Sequence, residues 1–593
     1  MHARFACATR KLVASIMPKA EELTARFKDD NPSSSAPPPD TVSGTLQDCL
    51  FLTFVVVLSL FLYVHGLGFY SDDWAVWAMF SYFDSKPFFS FLRAVLVGDE
   101  WAWTRMRPVQ MLFLAALFRL FGLNPFGYHL VNAAVFTATT LFFYLALRRL
   151  DQPRPVAVAL PMIYAMLPHY STDRFWVAAF QANLSVCFYF LNLYALLRAL
   201  ESSSSRAWGW IFLSIISVLA SSLAYEVAIP LFALNLLFVL YRARKFDSAV
   251  QDRAGMRNKV ALLLTSNVVA LIMVVVFKAL VSQRTGKFPR GYVAHIMSLV
   301  EQATIIGYIS YGLLLPRVTW NVIRDYSSAA SLTLAAVLGV IVFCYLYHLV
   351  SHRARELPNK SAWLKMLALS FIVFGLGYAI FATNSELLFH KTGIANRVTI
   401  AAAIGVAMTF VAVIGWVSAQ LPTALLRRGF FCLAIALLSV CGFLINNAIA
   451  SFWVAAYERQ QVVLAGIRTD FPTLSSGSTL ILDGVCPYVG PGIVFDNQWD
   501  LAGALQLTYR DSTLQADVVR PRIRIEEQGI STDSYGWRAF HPYGENLFLY
   551  HLSQKRIYRL TDAETARRYF ETFNPHYDNG CPEGLEGVGV TLF

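Results

Sequence analysis

Long apolar runs separated by short polar loops are the dominant pattern of this chain between residues 50 and 450. Each run is long enough, or nearly so, to cross a hydrocarbon core of roughly 30 Å as an α-helix. We predict about eleven membrane spans, at residues 50–67, 126–150, 155–169, 174–199, 207–223, 224–241, 258–281, 328–350, 362–382, 395–419 and 429–450. The pattern therefore predicts a polytopic α-helical membrane protein.

The chain turns polar after residue 455, and its apolar runs become as short as strands. Helices are expected at residues 458–467 and 563–573, and strands at 479–482, 522–525, 546–550 and 556–560. These elements predict a small α/β domain over residues 456–593. Ahead of the membrane domain (47–455), residues 1–46 are expected to be cytoplasmic and largely disordered, because they contain a run rich in proline and serine.

Composition narrows the class of protein. Hydrophobic residues make up 56% and charged residues 15% of the 593 residues, which excludes a soluble globular protein. The net charge of +11 does not indicate nucleic-acid binding, because most Lys and Arg lie in short loops between apolar runs. No C-x-x-C pair occurs among the eight Cys, so a thiolate metal site is not expected. Cys486 and Cys581 in the polar tail are either a disulfide or two unrelated thiols.

Basic loops set the predicted orientation. With the amino terminus in the cytoplasm they all fall on the cytoplasmic side, as the positive-inside rule requires, at residues 148–154, 198–206, 242–259, 352–365 and 427–428. Two weaker apolar regions, near residues 74–121 and 291–315, are therefore predicted to form interfacial or re-entrant helices on the outer face. The expected location is a bacterial-type cytoplasmic (inner) membrane, with the C-terminal domain extracytoplasmic.

Two adjacent carboxylates, Asp72 and Asp73, follow the first span directly. Acidic side chains are costly to hold near lipid, so such a pair indicates a functional site by default. The alternative is a helix cap, since Ser71 and Asp72 are both preferred residue types ahead of a helix starting at Trp74. Asp173 also precedes a predicted helix, so capping and function are equally open for it.

Cations on the outer side are not expected from the positive-inside rule, so their presence there requires a different explanation. An anionic partner at the outer membrane surface would provide one. For Arg105, Arg107 and Arg397 the alternative is a snorkelling anchor. Glu226, between two apolar runs, either faces the site or pairs with a buried Arg. The outer cations are Arg105, Arg107, Arg174, Arg284, Lys287, Arg290, Arg317, Lys391 and Arg397.

Four segments, taken in order, resemble a known family. They are the acidic pair, Arg107-Pro108, Phe121-Gly122-Leu123-Asn124-Pro125-Phe126-Gly127-Tyr128-His129-Leu130-Val131-Asn132 and Arg148-Arg149-Leu150. The order resembles the GT-C class of integral-membrane glycosyltransferases, and most of all its protein O-mannosyltransferases and transmembrane tetratricopeptide-repeat mannosyltransferases. The resemblance covers mainly residues 50–230, and the tetratricopeptide tail is missing.

The resemblance implies transfer of a sugar from a polyprenyl-phosphate-linked donor to an acceptor on the outer or lumenal side, with inversion of the anomeric centre. Asp72 or Asp73 would be the general base, with Asp173 as a further catalytic candidate and Glu226 and Arg174 as other site candidates. The class includes members with and without a divalent metal, so the metal is left open. The candidates for binding the donor phosphate are Arg107, Arg397, Arg105, Arg284, Lys287 and Arg290.

The acceptor is left open as lipid, polysaccharide or protein, and no other cofactor is expected. A second hypothesis is a non-catalytic subunit that keeps the same fold as a scaffold within a larger membrane complex. A transporter ranks last, because matching Gly/Pro-broken span pairs with mid-membrane charges do not occur in the two halves of the chain.

Overall fold

A computed structural model describes residues 40–97, 105–202, 204–247, 253–281, 291–351, 357–383, 389–521, 523–534, 536–578, 581 and 592. The chain divides by contacts into two units, Met1–Phe51 and Leu52–Phe593. In the first unit the described residues belong to the helix Asp40–Leu60. The predicted disorder of residues 1–39 lies outside the described residues, and the elements from residue 72 onward belong to the second unit.

Ten helices in the described part of the chain are long and apolar enough to cross a membrane, and a bent pair raises the number to eleven. This confirms the prediction of a polytopic α-helical membrane protein. The ten match ten of the predicted spans: Ser43–Leu60, Pro125–Arg149, Val177–Glu201, Ser205–Ala224, Glu226–Lys245, Gly255–Val281, Ala329–Ser351, Lys360–Thr383, Ile394–Ser418 and Ala424–Asp470.

The predicted span at 155–169 forms a shorter helix, Arg154–Met166, whose residues from Pro155 to Met166 are buried. Its direction follows from its neighbours. The helices Pro125–Arg149 and Phe180–Glu201 are joined near their starts by Asn183 and Asn132, 3.0 Å apart, and at their ends by Arg149 and Glu201, 2.5 Å apart. Because these two helices run in the same direction, the segment between them carries the chain back to the opposite end.

Several predicted cytoplasmic loops meet at one end of the bundle. Arg149 and Arg242 both lie beside Glu201, Arg242 also pairs with Asp151, and the Lys245 ammonium lies 3.7 Å from Asp151. We call this cluster the paired end. The loops at 148–154, 198–206 and 242–259 thus share one side, as the orientation rule requires of loops in one compartment.

The weaker apolar regions form helices as well. Those near residues 74–121 are Asp72–Tyr82, Phe88–Val97 and Pro108–Phe121. The region predicted at 291–315 begins as Tyr292–Thr304, continues as the wide helix Ile305–Leu313, and bends by 62° into Leu315–Asp325. The other helical segments are Pro168–Tyr170, Thr172–Phe175, Val177–Ala179, Ser204–Ala224, Glu226–Leu231, Phe232–Asp247, Arg253–Val281, Lys360–Ala379, Ile380–Thr383, Ile394–Thr399 and Ile400–Ser418.

One helix links the membrane-spanning part to the polar tail. It runs unbroken from Ala424 to Asp470, 47 residues, and therefore extends roughly 70 Å at 1.5 Å per residue. The Thr423 hydroxyl caps its start by accepting a hydrogen bond from the Leu426 amide at 3.2 Å. The helix continues past residue 455, so the tail is carried on a rigid extension of the last span.

The polar tail contains the predicted small α/β region. Strands β1 (Thr479–Asp483), β4 (Gln515–Val518), β8 (Leu547–His551) and β9 (Arg556–Arg559) form a sheet in the order β4-β1-β8-β9, in which only β9 is antiparallel to its neighbour. Helix Ala563–Phe573 packs on this sheet through Tyr569 and Phe570.

Two smaller sheets complete the tail. Strands β2 (Tyr488–Val489) and β3 (Gly492–Ile493) pair with each other, and β5 (Arg524–Ile525), β6 (Gly529–Ser534) and β7 (Trp537–Pro542) form an antiparallel sheet. Residue 522 of the predicted strand at 522–525 lies outside the described residues. Cys486 and Cys581 form a disulfide, which settles that alternative. The remaining helix, Gln498–Tyr509, reaches the acidic pair.

Candidate functional site

The acidic pair opens the helix Asp72–Tyr82 from a strained backbone. Ser71, the residue before it, has φ of 47°, a left-handed conformation that costs a non-glycine residue on the order of 1 kcal/mol. The Ser71 side chain makes no capping hydrogen bond. Strain of this kind persists only where surrounding contacts enforce it, and it is concentrated at functional sites.

Asp73 is buried and held by backbone amides. One carboxylate oxygen accepts from the Tyr70 N–H at 2.9 Å and the other from the Ala178 N–H at 2.7 Å. Burial raises the pKa of Asp73 well above its usual range, although both hydrogen bonds act to lower it. This carboxylate therefore ties the start of its helix to the segment around Ala178.

Asp72 is partly exposed and has different partners. One of its carboxylate oxygens accepts a hydrogen bond of 2.8 Å from the indole N–H of Trp499, which lies in the helix Gln498–Tyr509 of the C-terminal region. Burial raises the pKa of Asp72, the Arg397 guanidinium lowers it, and Asp496 raises it. The structure thus separates the pair into an anchored carboxylate and an accessible one.

A polar network holds two loops together beside Asp72. The Asn396 side-chain oxygen accepts from the Ser171 hydroxyl at 3.2 Å and the Thr172 amide at 3.3 Å, while its NH₂ group donates to the His169 carbonyl at 2.6 Å. The Thr172 hydroxyl donates to the Gly393 carbonyl at 2.6 Å. These bonds fix the loop that carries Asp173 against the loop that carries Arg397.

Arg397 lies over the ring of Trp176, 4.9 Å from its centroid, and donates to the Ile394 carbonyl at 2.9 Å. The Trp176 indole N–H donates to the Tyr70 carbonyl at 2.8 Å, which places the ring beside the acidic pair. In the described part of the chain, no carboxylate lies within ion-pair distance of Arg397. We call Asp72, Asp173, Trp176 and Arg397 the Arg397 cluster.

Asp173 is the buried carboxylate of the Arg397 cluster. It is 2% exposed, and neither carboxylate oxygen has a hydrogen-bond partner among the described residues. Burial raises its pKa well above the usual range, and Arg397 and Arg174 act to lower it. Its side chain is no helix cap, because the helix Thr172–Phe175 begins before it and Ser171 occupies the capping position.

Arg174 points away from Asp72 toward the first spans. Its guanidinium lies over the Phe136 ring, 4.6 Å from the centroid, and one of its nitrogens donates to the Ala165 carbonyl. It lines a cavity together with Tyr63, His129 and other residues of the first two spans. The sequence candidate Arg174 therefore sits behind the Arg397 cluster.

Arg107 and Glu226 form a second cluster. Arg107 contacts Glu226 through two nitrogens, at 3.1 and 3.2 Å, and its guanidinium lies over the Tyr225 ring at 4.4 Å. The Lys278 ammonium lies 2.6 Å from Glu226 and donates to the Met106 carbonyl. We call Arg107, Glu226 and Lys278 the Glu226 cluster; the pairing is one of the two alternatives left open for Glu226.

The remaining cation candidates divide between described and undescribed residues. Arg105 lies just ahead of the helix Pro108–Phe121 and is partly exposed. Arg284, Lys287 and Arg290 lie outside the described residues. No group of three or more His, Cys, Asp or Glu side chains that could hold a metal ion occurs among the described residues.

Two side chains that contact the candidate residues, Trp499 and Lys278, were not predicted from the sequence. Trp499 is 427 residues from Asp72, and Lys278 is 52 residues from Glu226, so no local pattern connects either pair. Trp176 carried a weak signal, as an aromatic residue three positions after Asp173 in a loop that was already a candidate.

No family model matches this chain. A stretch of 203 residues, 33% of the chain, is 29% identical to protein O-mannosyl-transferase Tmtc1 of Drosophila melanogaster. The chain spans about a quarter of that protein's length, 23% of it. The similarity confirms, at the level of the class, the resemblance to membrane mannosyltransferases seen in the sequence.

Solved structures show a weaker likeness. ArnT from Cupriavidus metallidurans bound to undecaprenyl phosphate is 15% identical, with a TM-score of 0.34 over 80% of this chain and 90% of that chain. The Archaeoglobus fulgidus oligosaccharyltransferase tethered with an acceptor peptide is 12% identical, with a TM-score of 0.33 over 74% and 62%. Values this low do not establish a common fold.

Proposed function

We propose that this protein is an inverting glycosyltransferase that takes a sugar from a polyprenyl-phosphate-linked donor and transfers it to an acceptor on the extracytoplasmic face of the membrane. The observation that carries the proposal is the Arg397 cluster, in which one guanidinium lies in the field of two carboxylates without pairing with either. Such a guanidinium keeps its N–H groups available for a phosphate. The similarity to an O-mannosyl-transferase supports the same chemistry.

Asp72 is assigned the role of general base. The acceptor hydroxyl would attack the anomeric carbon, the bond from that carbon to the phosphate oxygen would break, and Asp72 would take the hydroxyl proton. A raised pKa suits this role, because a more basic carboxylate accepts a proton better. Asp73 is assigned a supporting role, since backbone amides occupy both of its oxygens.

Arg397 is assigned to the phosphate that leaves with the lipid. Its planar fork can contact two phosphate oxygens, and its stacking on Trp176 fixes the plane of that fork. Asp173 lies in the electrostatic field of the same guanidinium, which acts to lower the pKa of that carboxyl. Arg107 is a second candidate, because the Glu226 cluster of two cations and one carboxylate keeps a net positive charge.

The orientation belongs to the proposal as well. We assign the paired end to the cytoplasm of a bacterial-type inner membrane, because its basic loops obey the positive-inside rule there. The Arg397 cluster and the C-terminal region then face outward, where a lipid-linked donor would meet a lipid, polysaccharide or protein acceptor.

The test separates donor binding from chemistry. Wild type, Asp72→Asn and Arg397→Ala are purified under mild conditions, and the lipids that accompany them are analysed by mass spectrometry. We expect a polyprenyl phosphate or its glycosylated form with wild type and with Asp72→Asn, and at least tenfold less with Arg397→Ala. Arg324→Ala, which changes an arginine with a 61% exposed side chain, is the matched control and should retain the lipid.

The same proteins are then assayed for release of radiolabelled sugar from dolichyl- and undecaprenyl-phosphate mannose. Asp72→Asn should bind lipid but transfer sugar ~10²–10⁴-fold more slowly than wild type. Bulk phospholipid alone with every protein would contradict the proposal and support the non-catalytic scaffold. Full transfer by Asp72→Asn would contradict the proposed mechanism, because the reaction would then use another base.

A further inference from the structure

The C-terminal region contributes a side chain to the proposed catalytic centre. Trp499 stands in the first turn of the helix Gln498–Tyr509, and Asn497 and Asp500 cap that turn reciprocally. The cap fixes the first turn, so the indole projects from a rigid element. Its N–H lies 2.8 Å from the Asp72 carboxylate, and it is the one hydrogen-bond donor to that carboxylate in the described part of the chain.

The helix is held closely against the acidic-pair helix. A Cβ atom added to Gly503 would lie 2.6 Å from the Trp74 carbonyl carbon and 2.7 Å from the Ala75 nitrogen, so the two backbones touch there. The Trp74 indole in turn donates to the Gln460 side chain at 3.3 Å, and Gln460 donates to the Ile493 and Val494 carbonyls. The position of Trp499 therefore depends on backbone contact rather than on a flexible loop.

Other charges also face Asp72. Arg397 approaches from the short helix Ile394–Thr399 at the start of the ninth candidate span. Asp73 is the neighbour of Asp72 along the helix, and Asp496 approaches from the C-terminal region. Asp496 accepts a hydrogen bond from the Tyr488 hydroxyl at 2.6 Å and lies 3.7 Å from Arg520. Asp500 is turned to the amides of Asp496 and Asn497. Trp499 thus gives Asp72 an uncharged hydrogen-bond donor in a region where Asp73 and Asp496 disfavour its ionised form.

We propose that Trp499 is a positioning residue that fixes the orientation of the Asp72 carboxylate and stabilises its ionised form, so that the catalytic site is complete only while the C-terminal helix is docked. The inference rests on the proposed function, because it gives Trp499 a role through the base assigned there. The hydrogen bond leaves the second oxygen of Asp72 free to take the proton of the acceptor hydroxyl.

The first test is Trp499→Phe, which keeps an aromatic ring and removes the N–H donor. We expect kcat/KM to fall between ~10-fold and ~100-fold, since a misplaced catalytic group loses that much. The acid limb of the pH profile should move to higher pH, because loss of the donor raises the pKa of Asp72 further. Trp499→His, which offers an N–H again, should recover part of both effects.

The second test leaves Trp499 intact and moves its helix. Gly503→Ala puts a methyl group against the Trp74 backbone, which cannot rotate away, so the helix must shift. The same displacement of the acid limb is expected, together with a loss of rate. Trp537→Phe, at a tryptophan that is 63% exposed in β7, is the control and should leave both rate and pH profile unchanged.

The outcomes separate this inference from the proposed function. If Asp72→Asn is inactive while Trp499→Phe and Gly503→Ala keep the wild-type acid limb, Trp499 has a structural role only and the inference is wrong, but the general base survives. If Asp72→Asn is fully active, the proposed function fails first and the inference fails with it. Thermal unfolding of each variant shows whether a lost rate reflects lost folding, and the pH profile of the folded fraction decides the role.

Discussion

The Arg397 cluster and the Glu226 cluster are built from the same kinds of side chain in opposite proportion. In the Glu226 cluster one carboxylate lies between two cations, Arg107 at 3.1 Å and Lys278 at 2.6 Å. In the Arg397 cluster one cation lies between two carboxylates and contacts neither at ion-pair distance. The first arrangement pairs both cations with a carboxylate at ion-pair distance, whereas the second leaves its guanidinium without such a partner among the described residues.

Under the proposed function, this difference assigns the chemistry to the Arg397 cluster and a structural role to the Glu226 cluster. Arg107 was the first sequence candidate for the donor phosphate, but binding one would require it to share or release Glu226. Arg397 needs no such exchange, since its stacking on Trp176 leaves its edge groups accessible. We therefore rank Arg397 ahead of Arg107 for the phosphate, and expect substitutions in the two clusters to affect different measurements.

The largest expected effect is at Asp72. Asp72→Asn removes the base and should lower transfer by ~10²–10⁴, the range that a positioned general base contributes. The change keeps an acceptor for the Trp499 indole, so folding should be preserved. Transfer of labelled sugar measured beside Glu545→Gln, a control whose side chain is 75% exposed, tests this. A loss of less than threefold would remove Asp72 as the base.

The next effect is on stability, at Glu226. Glu226→Gln leaves Arg107 and Lys278 facing each other without their shared carboxylate, and we expect a destabilisation of ~1–3 kcal/mol. The estimate is below that for a fully buried pair, because the side chains are 30%, 22% and 11% exposed. Thermal unfolding in detergent measures it, with Glu301→Gln at an exposed helix position as control.

A double substitution tests whether repulsion between Arg107 and Lys278 causes the destabilisation of the Glu226 cluster. Combining Glu226→Gln with Lys278→Met removes the repulsion and should recover most of the lost stability. If the double variant is no more stable than Glu226→Gln, the cations do not repel, and the charge argument for this cluster is wrong.

The spans were predictable because each is a local pattern. Ten of the predicted spans correspond to membrane-length helices, and runs of apolar residues need no knowledge of the rest of the fold. At 155–169 a membrane span was predicted where the chain forms the shorter helix Arg154–Met166. The prediction was too long because burial inside protein and burial in lipid favour the same apolar residues. The region at 291–315 was predicted to be interfacial or re-entrant, because counting it alone as a span would put the later basic loops outside. The helix pair there is bent by 62°.

The candidate site was predictable only in part. Asp72 stood out because a pair of carboxylates beside lipid is costly, and Arg397 because a cation on the outer side runs against the positive-inside rule. Asp173 stood out as a carboxylate in a polar outer loop, and all three signals depend on position along the chain alone. The unequal roles of Asp72 and Asp73 could not be read, because they depend on Ala178 and Trp499, which reach the pair from distant parts of the chain. Adjacent residues of the same type differ here through tertiary contacts.

A smaller effect concerns pH. The base must be ionised, so activity falls as pH decreases through the pKa of Asp72, and because that pKa is raised the acid limb should lie above the usual range for Asp. Arg397 lowers this pKa, so in Arg397→Gln the acid limb should move to still higher pH. The residual kcat/KM of this variant across pH tests the link; an unmoved limb would separate Arg397 from Asp72.

The smallest effect on stability is expected at the paired end, because a cation there has a second carboxylate partner when the first is removed. Asp151→Asn removes one partner of Arg242, but Arg242 keeps Glu201 at 3.6 Å, and the Asp151 side chain is 50% exposed. We expect a change in stability of less than about 1 kcal/mol, as is typical of exposed pairs. Thermal unfolding of Asp151→Asn beside Glu226→Gln measures both on one scale. Equal destabilisation by the two substitutions would mean that solvent exposure and alternative partners do not weaken the effect at the paired end. The Glu226 cluster would then be no more important for stability than the paired end.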